Sequence, residues 1–432
     1  MTASSGWSRP PGRPGTPGAP GGRRDPFSAL RNSQFRWLFS SNIAFFMAMS
    51  GQQLVRGWLA WELTGSEFAL GSVAFAVAVP MMVIAPFGGV ISDRVERRNL
   101  IVAGQATLIV GEVCVLALLF TDLLQFWHLL VLAVLMGCAF PFIMPSRAAI
   151  VATVVGKEGL ANAMALNMTG MNSTRVLGPA LAGVLIWLLG MKWTYAISVG
   201  LYVVALLCML AVHRSPPHPN ARDRSMLSSL AEGGRYIVQH RLVLILLFFG
   251  LVPMFLAMPF QTLLPVFADD VWRMGPLGLG WLSAVGGVGG VVGSMYVAWN
   301  SDSPHRLRQM MWSMVFFGSF LLLFAVSPWF LAALPMIFLA NIFSSVYGTL
   351  NNTAIQLLIP DEVRGRISSF LMMSFSLPLL GTLPMSAVAE GYGAPMAVGL
   401  AALLAVAVVL VFYAVSPVLR DLDASVLKAV RE

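Results

Sequence analysis

The chain has little of what soluble proteins are made from. Only 11% of its 432 residues are charged, against about a quarter in an ordinary globular domain. Lysine occurs three times, at Lys157, Lys192 and Lys428. The one Gly-Lys pair, Gly156-Lys157, is followed by Glu158 rather than a Ser or Thr that could hold magnesium, which excludes a phosphate-binding loop and direct drive by ATP. The three cysteines, Cys114, Cys138 and Cys208, fall inside apolar runs with neither disulfide nor metal-ligand spacing. There is no His/Cys cluster, HExxH or nucleophile elbow, so no metal, cofactor or enzymatic centre is expected. The net charge of +8 is scattered between apolar segments rather than gathered in a patch, which argues against nucleic acid and for orientation in a bilayer.

What is abundant is apolar length. Hydrophobic residues make up 57% of the chain. They form twelve segments, from Trp37–Leu63 to Met396–Val415, each near or above the roughly 20 residues that cross the hydrocarbon. With no water for the backbone to bond, segments of this length must be helices. The expected fold is an all-α membrane protein of twelve transmembrane helices in two pseudo-symmetric six-helix bundles. Its expected parts are a disordered tail (1–33), a first bundle (34–213), a linker with an interfacial helix (214–241), a second bundle (242–416) and a closing tail (417–432). With both termini inside, 22 of the 27 Lys and Arg fall on the cytoplasmic side and two, Lys192 and Arg273, outside. That asymmetry predicts the topology of a multi-pass protein of the cell membrane. Arg56, Arg147 and Arg175 lie inside segments.

The halves repeat each other. Gly71 and Gly280 open the second segment of each half, and Asp93 and Asp302 follow 22 residues later. Ser92 and Ser301 precede those aspartates, and Arg97 and Arg306 follow them by four. Two homologous halves around a pseudo-two-fold axis are the build of many secondary transporters, with the site between them near the midplane.

Gly88 to Arg98, GGVISDRVERR, joins the second and third segments. It reads as a tight turn with Asp93 just past a helix end and Arg94, Arg97 and Arg98 marking the cytoplasmic side. Gly89, Asp93, Arg94, Arg97 and Arg98 also resemble the loop signature of the major facilitator superfamily, although Glu96 stands where that signature has glycine. The resemblance implies an inner gate: Asp93 against the start of the eleventh helix near Arg364 and Arg366, and Asp302 with Arg306 near Leu160 to Asn162. NSTRVLGPALAG in the fifth segment places Gly178 and Pro179 mid-helix, a kink on physical grounds. It is also similar to the Gly-Pro signature of facilitator-family antiporters. WLAWELTGSEFALG and IQLLIPDEVRGRISS resemble the branch that holds bacterial siderophore, macrolide and drug exporters, the transmembrane secretion effector type.

Glu112 is the only acid deep inside a segment, where an unpaired charge costs about 2.5–3.5 kcal/mol on insertion scales. Depth nominates Arg175 as its first partner and Arg56 as its second. Two readings stand: a static salt bridge, or a proton site whose pairing changes during the cycle. Polar residues on segments that line the cavity in the resembled family are Asn42, Gln52, Gln53, Arg147, Gln261, Asn341, Asn351, Asn352 and Gln356. The reading that follows is proton-coupled efflux of a moderately apolar small molecule by a monomer whose partners are that substrate, protons and lipid. Uptake, uncoupled transport and a transporter-like sensor are the alternatives.

Overall fold

In the computed structural model, residues 27–213, 235, 238–300, 305–358 and 376–416 are described. The first three helices are α1 (Ser33–Thr64), α2 (Glu67–Arg94) and α3 (Arg97–Phe120). A continuous element, Phe126–Leu210, then holds three spans. Its backbone leaves helical geometry at Gly156 (φ 73°) and Gly190 (φ 80°), a left-handed region open to glycine at little cost. These two residues divide it into α4 (Phe126–Gly156), α5 (159–189) and α6 (191–210). The second half comprises α7 (Arg241–Leu256), extended through 3-10 and π turns to Val271, then α8 (Gly275–Trp299) and α9 (Arg306–Ala325). It ends with α10 (Phe330–Leu358), α11 (Leu377–Tyr392) and α12 (Ala394–Val415). The described residues thus show an all-helical membrane protein.

Short-range chemistry sets the joints. Asn32 caps α1 by accepting from the Gln34 N–H at 2.9 Å and the Phe35 N–H at 3.4 Å. Gly65 (φ 59°) closes α1, and the Ser66 hydroxyl then accepts from the Ala69 N–H at 3.2 Å to start α2. The helices bury their shared faces and leave large apolar side chains such as Leu177, Leu181, Leu188 and Leu403 exposed. In water this would be a liability, but in a bilayer it is the lipid-facing surface.

Two expectations are corrected. The stretch Gly88 to Arg98 is not a turn throughout: α2 runs to Arg94 and α3 begins at Arg97, so only Val95 and Glu96 make the joint. Asp93 therefore sits in the last turn of α2 rather than past it. Part of the expected tail is also ordered. Ser28–Arg31 forms a 3-10 turn whose Ala29 N–H donates to Asn162 Oδ1 at 2.9 Å. Ala29 packs there with Phe35, Leu38 and Ile101, because this short run carries apolar side chains that the Pro/Gly-rich stretch before it lacks. Most of the expected linker helix, and both chain ends, lie outside the described residues.

Candidate functional site

Helix α3 buries one stripe: Ile101, Gln105, Leu108, Glu112, Val115 and Leu119, at helical spacing. The stripe carries Glu112 into the interior of the first half, where it is 1% exposed. Arg56 of α1 donates from Nη1 to Glu112 Oε1 at 2.7 Å. Gln52, one helical turn before Arg56, donates from Nε2 to Oε2 at 2.9 Å, and the Tyr195 hydroxyl of α6 donates to the same oxygen. Both carboxylate oxygens are satisfied, which offsets the desolvation of the ion. The order of partners expected from depth is corrected: Arg56 holds Glu112, and Arg175 does not. Depth along a helix says nothing of direction around it. Arg56 shares the α3-facing side of α1, while Arg175 projects from α5 and is exposed.

Arg147 of α4 is a second buried cation, 2% exposed. It donates to Asn42 Oδ1, reaches Ser41 Oγ at 3.4 Å and lies over the Phe45 ring, 4.2 Å from its centroid. Asn42 in turn donates to Asn167 Oδ1 at 2.7 Å. Asn42, Gln52 and Arg147 are therefore engaged inside the first half rather than presented at a cavity wall. Asn167 and Tyr195 complete these networks, and sequence reasoning missed both. The only signal was an isolated polar tip within an apolar run.

Of the remaining cavity candidates, Gln53, Gln261 and Asn352 are exposed. Asn341 is half-buried, bonds the Ile337 carbonyl of its own helix at 2.9 Å and packs beside Gly286. Asn351 is buried against Gly250 of α7. At Pro179 the helix continues without a break in backbone geometry, and Gly178 meets Ser50 and Gly51 of α1. Among the gating candidates, Arg98 bonds the Met209 and Leu210 carbonyls at 3.4 and 2.6 Å, tying α3 to the end of α6. Arg97 reaches Thr153 Oγ1 at 3.2 Å, and Arg306 opens α9. Gly89, Asp93 and Arg94 belong to α2, but their side chains, like that of Gln356, lie outside what is described, as do Asp302, Arg364 and Arg366.

The halves meet away from the basic loops. Among the described residues, the hydrogen bonds between them join Trp61 Nε1 to Asp269 Oδ2 (2.8 Å), Ser66 Oγ and the Phe68 N–H to Glu390 Oε2 (2.9 and 3.0 Å), and Thr382 Oγ1 to the Gly71 carbonyl (3.1 Å). Glu390 thus places an anion from α11 at the N-terminus of α2, where free N–H groups and the helix dipole favour it. It lies just beyond its apolar segment, and the Phe68 N–H holds its carboxyl below its ordinary value despite some burial. Deeper, Gly183 faces Gly280 so closely that a Cβ on Gly183 would come within 2.7 Å of the Gly280 Cα. From the level of Val176 and Gly287 toward the basic side, α5 exposes Met168 and Asn172. The halves are thus closed against each other toward the far face, and α5 is uncovered below that contact.

Two repeated halves, closed together at one end around exposed polar groups, form the frame of an alternating-access carrier. Residues 24–430 match the family described as transmembrane secretion effector. The chain belongs to that family. It is a multi-pass membrane transporter of the major facilitator superfamily, not an enzyme. Among curated relatives of this transmembrane secretion effector, the "Enterobactin exporter EntS" of Shigella boydii serotype 18 (strain CDC 3083-94 / BS512) is 30% identical over 71% of this chain and 73% of its own. EntS of Escherichia coli O139:H28 (strain E24377A / ETEC) is 29% identical over the same shares. Among solved structures, the nucleoside transporter NupG superposes with a TM-score of 0.72 at 11% identity, covering 88% of this chain and 98% of that one. A bacterial homologue of the human lysosomal transporter Spinster, inward-facing and unoccupied, gives 0.66 at 14% identity over 93% and 98%. At such identities the two structures show the fold alone.

Proposed function

We propose that this transporter exports a siderophore-like, moderately apolar small molecule from the cytoplasm in exchange for protons, working as a monomer with both termini cytoplasmic. The supporting observation is the exporter kinship over most of the chain, beside a buried carboxylate paired with Arg56. The charge count supports the orientation, and by it a cleft beside the uncovered stretch of α5 opens inward. Glu112, bound to Arg56, Gln52 and Tyr195, is the proton site in this reading. In this reading the rocking step lengthens the 2.7 Å contact between Arg56 and Glu112 and opens the carboxylate to a proton. Gating stays with the α2–α3 joint and its repeat: Gly89, Asp93, Arg94, Arg97, Arg98, Asp302, Arg306, Arg364 and Arg366. Gln53, Gln261 and Asn352 line the path.

The test uses purified protein in proteoliposomes, with enterobactin as the probe and the orientation fixed by protease access to the termini. Vesicles carrying the cytoplasmic face outward, with an acid interior, should take up the probe, and a protonophore should abolish that uptake. Accumulation that persists with the protonophore would overturn the coupling. Accumulation in the opposite direction, or none, would overturn export.

A further inference from the structure

Helix α5 has two packed sides. Gly170, Thr174, Gly178 and Ala182 meet α1, through Ile43 and Phe39, the Ser50 hydroxyl, Met47 and Gly51. Val176, Ala180 and Gly183 meet α8. At about 100° per residue these sets lie on opposite sides of the helix and leave two open strips between them. One strip carries Leu177, Leu181 and Leu188, which are 48%, 49% and 60% exposed and face lipid. The other carries Arg175, with Met168 and Asn172 leading to it from the basic side. Arg175 therefore points to the axis between the halves. Its level is fixed by the bond from Ser50 Oγ to the Thr174 carbonyl at 2.7 Å. That bond puts exposed Gln53, three residues past Ser50, within about one helical turn of the same depth.

Arg175 has no hydrogen bond or ion pair with a described residue. Nor does the chain offer it an acid at that depth. Glu112 is the only acid deep inside a segment, and both its oxygens are engaged inside the first half. Glu62, Glu67, Asp269, Asp270 and Glu390 all sit toward the far face. An open cleft hydrates a lone guanidinium, but closing the cleft strips that water while the charge stays. A carboxylate or phenolate brought by the cargo would offset the loss, and the planar guanidinium holds such a group with two parallel bonds.

Resting on the export reading, we infer that the cleft recognises an anionic oxygen group on an otherwise apolar molecule, with Arg175 as its ligand and Gln53 beside it. The same residue then makes closure depend on cargo: an empty or cation-loaded cleft closes over an unpaired charge, and an anion-loaded one does not. Met168 supplies adaptable apolar surface for the remainder of the molecule.

The test uses three fluorescent probes of matched shape: dansylglycine (carboxylate), its primary amide (neutral) and dansyl-ethylenediamine (cation). Binding is read from dansyl fluorescence with the protein in nanodiscs. The wild type should bind the carboxylate at least tenfold more tightly than the amide, and the cation most weakly. Arg175→Gln should bring carboxylate and amide within about twofold, and Arg175→Lys should keep part of the preference, as a point charge without the fork. A wild type that binds none of the three, or prefers the amide or the cation, overturns the inference without any variant. An unchanged ratio in Arg175→Gln overturns it too. Transport of the same probes in proteoliposomes separates the two readings. Carboxylate binding without movement under a pH gradient sinks export and keeps the anion site. Export of the amide or cation in preference to the carboxylate keeps export and sinks the anion site.

Discussion

Replacing Glu112 by Gln separates stability from coupling. Gln has the shape of the carboxyl group and can still meet Gln52 and Tyr195, but it leaves Arg56, 7% exposed, without an anion. Removing one partner of a buried pair costs about 3–5 kcal/mol, most of it the uncompensated charge. The double variant Arg56→Gln/Glu112→Gln removes both charges and should recover most of that loss. Unfolding by denaturant titration in detergent measures both. Transport then separates the two roles. One pH unit is worth about 1.36 kcal/mol per proton, or about tenfold accumulation at one proton per substrate. The double variant should equilibrate substrate across the membrane yet fail to concentrate it. A double variant that folds and still reaches tenfold accumulation would refute the proton role and leave the pair as a structural salt bridge.

Other outcomes follow from single contacts. Tyr195→Phe removes one donor to an ionised oxygen and should cost about 1.5–3 kcal/mol in the same titration. Glu390→Gln should shift the halves toward far-face opening by about two- to fivefold, the worth of an exposed charge at a helix N-terminus, read as spin-label distances between Asp122→Cys and Val326→Cys in a cysteine-free background. The Glu390 carboxyl is held below its ordinary value in the closed form. The Glu390 contribution to far-face closure is therefore present at and above the ordinary carboxylate pKa and lost as pH falls through the lowered one, while Glu67, raised by burial and by Glu390, contributes with the opposite sign; Glu390→Gln should remove the first contribution. Gly183→Leu has no space against Gly280 and should hold the far face apart in the same distance measurement.

Apolar length and basic loops made the helices legible, because a bilayer leaves the backbone few alternatives. The repeat of Gly71 and Asp93 at Gly280 and Asp302 likewise showed two halves. Facing was not legible. Arg56 and Arg175 lie in similar apolar surroundings, and only the packing of α1 against α3 and of α5 against α1 and α8 decides which one meets Glu112. The far-face contacts were equally hidden. Trp61 with Asp269 and Ser66 with Glu390 are 208 and 324 residues apart, and no local pattern marks them. Gly88 to Arg98 misled for a different reason: glycine and charge suggest a turn, yet α2 stays helical to Arg94, and Gly88 serves as a close contact with Pro141 of α4.

The deeply placed charges of the described residues belong to one half. Arg56, Glu112, Arg147 and Arg175 lie in the first, whereas Asp269, Asp270, Arg306 and Glu390 of the second sit near the ends of their helices. A substitution in α8 or α10 touches none of these deeply placed charges. The second half therefore owes its packing to apolar faces and glycines, and a substitution in its interior leaves the first half's Arg56–Glu112 pair and the Arg147 network in place.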